Sequence, residues 1–477
     1  MKRSRVLAAV LTLGIVAAAT SAFALENEFH GLFSARYINS NFNGTNTTSF
    51  SDGARYGGDE HYMPQGKPKD VFSANFIEQR ARLQYIAKAS ADLKLVTQFE
   101  LDYTYWGNSS YGLNAAPAGF SAAGRNGGGA IGADTVNLET KHIYLDANVA
   151  KNVNMKLGMQ PYNDAFKGVL FDADMAGIAF SSGYNKFIPS IGYFRFNDTG
   201  VQQDKVLGHL TNDLFLLDGK YEVSKELKVG AAYYLFRNNS FTTNSNLLND
   251  VAKQDVKMST FGLNAEYTTG PLTLNGFGVF QVGTANQRAT TAWALNSGAK
   301  LKVGPGTARC EFLYVSGDNN IATGHSNAFY SVFNHIGLAE HGYYDNEMAI
   351  LGRDKNAYTT DNSIISTAGN DAQGQIGGYI GYDLPINAKL TTAFNAGFAA
   401  VAKENANKPT NNKTGMKNGS NYLGTEINAE ATYQLLEGLS VGTRVAYVIL
   451  GDYYKDVALN GTPVNPYDAK LIFKYVF

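Results

Sequence analysis

The chain has 477 residues, with 40 Lys+Arg against 41 Asp+Glu and a formal net charge of −1, a balance that excludes a basic nucleic-acid binder. Its 29 Tyr, 28 Phe and 50 Gly against 2 Trp and 11 Pro favour strands joined by many turns. The single cysteine, Cys310, excludes an intramolecular disulfide framework and reads as a small apolar strand residue.

In chain order, the first element is a leader. Lys2, Arg3 and Arg5 precede an apolar run from Val6 to Ala19, and Ala22-Phe23-Ala24 is a small-x-small cleavage site. This layout predicts a signal peptide over residues 1–24 and a mature chain over 25–477. The run falls short of the ~20 apolar residues a spanning helix needs, and no cysteine marks a lipoprotein. Beyond the leader no long apolar stretch occurs, so no membrane helix is expected. A slightly polar average still admits a transmembrane barrel, whose lipid-facing residues are only every second one.

The rest of the chain repeats with period 2. In FIEQRARLQYIAKA the apolar register is Ile77, Ala81, Leu83, Tyr85 and Ala87, and the polar register holds Glu78, Arg80, Arg82 and Gln84. In DLKLVTQFELDYTYW, Leu93, Leu95, Phe99, Leu101, Tyr103 and Tyr105 oppose Lys94, Gln98, Glu100 and Asp102. The ladders at 136–147 and 187–196 do not choose a register. ELKVGAAYYLF, VKMSTFGLNAEYTT, TEINAEATYQLL and LSVGTRVAYVIL continue the alternation. The last segment, PYDAKLIFKYVF, sorts Tyr467, Ala469, Leu471, Phe473, Tyr475 and Phe477 onto one face and Asp468, Lys470 and Lys474 onto the other. A helix, repeating at 3.6, would not sort residues this way.

These strands are long enough to cross a bilayer when tilted, at ~9–11 residues. Short links such as 89–91, 268–271, 303–306 and 436–438 alternate with long polar ones such as 39–70, 107–133, 317–372 and 403–420. The pattern predicts one all-β domain over 25–477. It is a transmembrane antiparallel β-barrel of about 18 strands (16 to 20), with short periplasmic turns and long extracellular loops. Closure removes the edges that a long sheet would expose to lipid.

No catalytic signature is expected to operate, so the chain reads as a non-enzyme without cofactor or metal. HIGLAEH at 335–341 has too many residues between His335 and Glu340 for an inverted zinc-protease motif, and RNGGG at 125–129 lacks the Lys-Ser/Thr of a phosphate loop. A barrel this wide leaves an aqueous channel. Glu78, Arg80, Arg82, Glu100, Asp102, Arg309, Glu311 and Arg444 are its expected lumen-lining charges. Arg80 and Arg82 are expected to pair across strands with Glu100 and Asp102.

The segment KLGMQPYNDAFKGVLFDADMAGIAFSSGY, residues 156–184, has a Gly-x-Gln-Pro strand end followed by Asp-x-Asp-x-x-Gly. With the barrel layout, it resembles Gram-negative outer-membrane porins. The resemblance implies a third loop folded into the pore, with Asp164, Lys167, Asp172 and Asp174 at a constriction. Asp172 and Asp174 could instead cap a turn or hold Ca²⁺. It also implies a closing strand whose terminal aromatics, Phe473, Tyr475 and Phe477, are read by the barrel assembly machinery. The partners implied are outer-membrane lipid, lipopolysaccharide, small hydrophilic solutes and, for many porins, two further copies in a homotrimer. The expected function is passive diffusion of small hydrophilic solutes or ions. The alternatives are a substrate-selective channel, the barrel sheath of a porin–cytochrome conduit, or an enzyme or adhesin working through the loop at 317–372.

Overall fold

The computed structural model of the chain describes residues 25–43, 73–107, 138–200, 205–243, 251–253, 255–285, 287–320, 324–332, 344, 346–355, 357, 361–457 and 461–477. The leader expected over 1–24 and the motifs at 125–129 and 335–341 lie outside the described residues.

The strands are β1 (Glu26–Ser40), β2 (Ala74–Ser90), β3 (Leu93–Tyr105), β4 (Glu139–Ala150), β5 (Val153–Asn163), β6 (Asp172–Ser182), β7 (Phe187–Asp198), β8 (Thr211–Glu222) and β9 (Leu227–Asn238). A small hairpin of β10 (Phe241–Thr243) and β11 (Val251–Lys253) follows. The second half holds β12 (Val256–Thr269), β13 (Leu272–Ala285), β14 (Arg288–Val303), β15 (Gly306–Val315), β16 (Gln375–Pro385), β17 (Leu390–Ala400), β18 (Tyr422–Leu436), β19 (Leu439–Leu450) and β20 (Tyr467–Val476). Each barrel strand pairs antiparallel with the next, β9 pairs with β12, and β20 returns to β1, so 18 strands close the sheet.

Alternation is the reason these segments form this barrel. Phe33, Leu83, Leu95, Phe261, Leu263, Ile427, Val445 and Phe473 all point out and stay exposed, while Arg36, Glu426, Arg444 and Lys470 point in and are buried. This inverts the arrangement of a water-soluble protein and fits a wall bathed in hydrocarbon. Two-residue links at 91–92, 151–152, 270–271, 304–305 and 437–438 lie at the end of the barrel that carries both termini. Gly270, Gly304 and Gly438 take left-handed φ values of 54°, 58° and 73° in three of them, which suits tight hairpins.

The two ladders without a readable register have different physical causes. In β4, Gln98 faces His142 but the adjacent Phe99 faces Thr140, so Lys141 is an extra residue in a bulge. The bulge shifts the alternation by one, and no single register runs through. In β7 both faces are apolar: Ile191 faces out, whereas Phe194 is wholly buried inside. The inward surface of β6–β9 and β12–β15 carries Met175, Leu214, Leu216, Tyr234, Phe236, Met258, Phe277 and Leu313 in one apolar cluster.

Closure itself is local. Phe477 donates its backbone N–H to the Gly31 carbonyl at 3.1 Å, and Gly31 donates to the Phe477 carbonyl at 2.9 Å. The Phe477 ring lies over Gly31 so closely that a Cβ there would sit 2.3 Å from it, and it stacks on Tyr475 with centroids 5.4 Å apart. Gly31→Val should therefore displace the ring and reduce the folded fraction, read as loss of the heat-modifiable band in a denaturing gel. Deleting Phe477 should reduce membrane insertion more than export, measured by fractionating the exported chain.

Candidate functional site

The site is the inner wall of the barrel together with two loops that pack onto it. The first loop joins β5 to β6. Asp164, the residue after β5, is buried and gathers the loop around its own carboxylate. Oδ1 accepts the N–H groups of Phe166 at 2.6 Å and Gly168 at 3.0 Å, and Oδ2 accepts those of Leu170 at 2.6 Å and Phe171 at 2.9 Å. Burial pushes the Asp164 pKa up to about 6, while the four amide donors pull it down. Lys167 and Gly168 take left-handed φ values of 59° and 77° at the tip.

That wrapping drives Phe166, Val169, Leu170 and Phe171 into the wall, each with no exposed surface. The Phe166 ring lies against Gly262 of β12, where a Cβ would come within 2.1 Å, and packs 5.6 Å from the Phe277 ring. Phe171 meets Tyr234 edge-on at 5.3 Å, and the Tyr234 hydroxyl accepts the Ala165 N–H at 3.0 Å. The third loop thus folds inward.

The other loop joins β15 to β16 and returns through the lumen across the opposite, charged half of the wall. Glu426 of β18 accepts the backbone N–H groups of Ala349 (2.7 Å), Ile350 (2.9 Å) and Leu351 (2.7 Å). Met348 to Leu351, Ile364 and Ile365 then pack on the inward side chains Ala399, Leu423, Ala446 and Val448. Asp354 pairs with Arg444 and lies 3.5 Å from Lys470. Asp361 pairs with Arg36 at 2.8 Å and with Lys470 at 2.8 Å. Glu347 lies 3.3 Å from Arg309 and 2.8 Å from Lys355, which also reaches Glu430 at 2.8 Å.

The residues expected to line the lumen all sit on the inner register, apart from Asp102, whose side chain lies outside the described residues. Arg80 and Arg82 both reach Glu100, at 3.0 and 2.8 Å. Glu78 faces Arg36 across β1 and β2 and pairs with it. Arg309 also bonds Asp383 of β16 at 2.7 Å. Glu311 gathers Lys167 at 2.8 Å from one loop, the Tyr344 hydroxyl from the other, and the Tyr379 hydroxyl at 3.2 Å from β16. So Lys167 and Glu311, read from the sequence as members of separate sets, meet. Most of these charges are covered by loops rather than bathed in the wide channel expected from the strand number.

The four residues expected at a constriction have four different settings. Asp164 is turned into its own loop, and Lys167 is held by Glu311 and by the Asn275 side-chain oxygen at 2.8 Å. Asp174 accepts from Lys141 at 2.7 Å and lies 2.7 Å from His142 Nε2. Asp172 lies within electrostatic reach of Arg353 from the long loop and of Lys141. The β4 bulge lets two consecutive residues, Lys141 and His142, serve the same carboxylate. Neither these two residues nor Glu347, Arg353, Asp354 and Asp361 were singled out from the sequence. The available signal was MAILGRD and NSIIST, two apolar runs inside a polar loop.

Asp164→Ala leaves four amide donors without their acceptor, which should destabilise the loop by about 2–4 kcal/mol. Trypsin cleavage after Lys167 should accelerate in this variant while the heat-modifiable band of the barrel persists. Asp354→Asn removes the carboxylate that Arg444 pairs with under the long loop, at about 3–5 kcal/mol for a broken buried pair, while Lys470 keeps Asp361. It should lower the urea midpoint of the detergent-solubilised barrel.

No family model and no curated protein matches the sequence. Solved structures do match its fold. Acinetobacter baumannii OccAB1 aligns at TM-score 0.54 and 12% identity, over 96% of this chain and 98% of that one. A BenF-like porin from Pseudomonas fluorescens Pf-5 aligns at 0.53 and 12%, over 96% and 100%. The outer membrane protein OpdK from Pseudomonas aeruginosa, solved also with vanillate, aligns at 0.52 with 11% identity, over 95% and 98%. Over nearly its whole length, the chain shares the fold of these proteins, with its own sheet closed by 18 strands.

Proposed function

We propose that the protein is an outer-membrane porin through which small hydrophilic solutes or ions diffuse passively, without chemical reaction or cofactor. The observation that carries this reading is the combination of an apolar outer wall with an inner wall that holds nearly all the paired charge. Such a shell is stable only with hydrocarbon outside and a polar lumen inside. Residues 1–24 would direct export, and Phe473, Tyr475 and Phe477 would present the closing strand to the assembly machinery. The end with two-residue links would face the periplasm, and the loop end would face outward. A homotrimer is compatible with this reading.

The substrate-selective form is the version we favour. Two loops anchored on opposite halves of the wall support a narrow path, and the acids Asp172 and Asp174 face Lys141 and Arg353 beside it. The same loops count against a sheath for a cytochrome, which needs an unobstructed lumen.

Planar-bilayer recording of the purified protein should give stable ohmic steps; a silent, correctly folded barrel would overturn the porin reading. Asp172→Asn with Asp174→Asn should shift the reversal potential in a salt gradient toward anion preference. An unchanged potential would remove this loop from the conduction path.

A further inference from the structure

Among the described residues, one stretch of the outer wall carries charge on four neighbouring strands where the belt ends toward the long loops. Following the strand register sideways, Arg195 of β7 faces Asp213 of β8, Asp213 faces Arg237 of β9, and Arg237 faces Lys257 of β12. All four belong to the outward register, because their neighbours Phe194, Leu214, Phe236 and Met258 are buried inside. Arg195 Nε bonds Asp213 at 2.9 Å, and that carboxylate also accepts from the Tyr193 hydroxyl at 2.9 Å and the Thr211 hydroxyl at 2.6 Å. Arg237 and Lys257 are left directly opposite each other. Both are exposed, and neither has an ion pair or side-chain hydrogen bond among the described residues.

Like charges facing each other across a strand pair are destabilising unless an anion bridges them. The setting specifies the anion. One step further into the belt, the outward residues are Tyr193, Phe215, Leu235, Ser259 and Val282; the next step brings Ile191, Leu217, Tyr233, Phe261, Phe280 and Trp293. Tyr193 and Phe215 pack at 4.9 Å, and Tyr233 and Phe261 at 5.0 Å. A row with three cations and one carboxylate, Asp213, between Arg195 and Arg237, directly above an aromatic apolar surface, carries a net positive charge that matches an amphiphile with a phosphorylated headgroup and acyl chains. From Arg195 to Lys257 the row crosses three strand spacings, roughly 14 Å, wider than a single phosphate.

We propose that Arg195, Arg237 and Lys257 form a binding site for a bisphosphorylated glycolipid of the outer leaflet, its phosphates on the cations and its acyl chains against Phe215, Tyr233 and Phe261. The assignment rests on the outer-membrane reading above, with the loop end outward.

The test is native mass spectrometry of the full mature barrel in dodecyl maltoside. It is titrated with hexa-acylated lipid A bearing two phosphates, with the same lipid dephosphorylated, and with dioleoylphosphatidylglycerol. The bisphosphorylated lipid should bind at least tenfold more tightly than either of the others. Arg237→Ser with Lys257→Ser should abolish that advantage, with the heat-modifiable band and single-channel conductance unchanged. If the double variant does not fold, Lys257→Gln alone should cost at least threefold. Equal lipid A affinity in the folded variant and the parent overturns the site, and equally tight phosphatidylglycerol binding overturns the glycolipid assignment. A silent parent channel that still prefers bisphosphorylated lipid A would defeat the porin reading and leave this site standing.

Discussion

In hydrocarbon a backbone N–H or C=O without a partner costs several kcal/mol, so a spanning sheet has to close. Everything else in this molecule depends on that closure. β20 must find β1, and the seam is sealed by the reciprocal bonds between Phe477 and Gly31, with the terminal ring lying over the glycine. The glycine is part of the seal because no other residue leaves room for the ring. Closure also removes any choice of face. Each residue is directed either to lipid or to the lumen, so most strand charges collect inside, while aromatics stand on both faces.

A ring of 18 strands is too wide for its own side chains to fill. The chain answers by returning its loops to the inner wall, by two different physical means. Across β6–β15 the contact is apolar: Phe166, Leu170 and Phe171 are pressed against Tyr234, Phe236 and Phe277, and the Asp164 carboxylate organises the backbone that presents them. Across β15–β20 and β1 a smaller apolar contact is joined by ion pairs, with Asp354, Asp361 and Glu347 meeting Arg36, Arg309, Arg444 and Lys470. Buried ion pairs of this kind add little net stability over an apolar contact, yet breaking one is costly. Their effect here is positional: the long loop has one placement in which each carboxylate meets its cation. Glu311, bonded to both loops, ties the two halves together.

Legibility in the sequence followed the distance over which each interaction acts. The Arg82–Glu100 pair was readable because the two residues lie on adjacent strands joined by a tight turn, so register alone brings them together. β4 and β7 were opaque for local reasons, a bulge at Lys141 and an apolar residue on both faces. The bonds of Lys167 to Glu311 and of Arg36 to Asp361 were not readable at all, since they join segments 144 and 325 residues apart. No periodicity reports such a meeting. The motif at 156–184 falls on a loop that packs against the inner wall, and there the Asp164 carboxylate turns toward four amides of the loop itself, an arrangement no motif spells out.

By itself, the sequence determined that long alternating strands close into a barrel of about 18 and, outside β4 and β7, which residue of each pair faces lipid, because period-2 alternation and turn residues are local properties and hydrocarbon enforces them one residue at a time. Only the tertiary structure decided what occupies the lumen and which charges are left on the outer wall. Those outcomes depend on where long loops come to rest and on which strands become neighbours. Arg237 and Lys257 are unremarkable 20 residues apart in the sequence, and become a matched pair of cations only when β9 and β12 lie side by side.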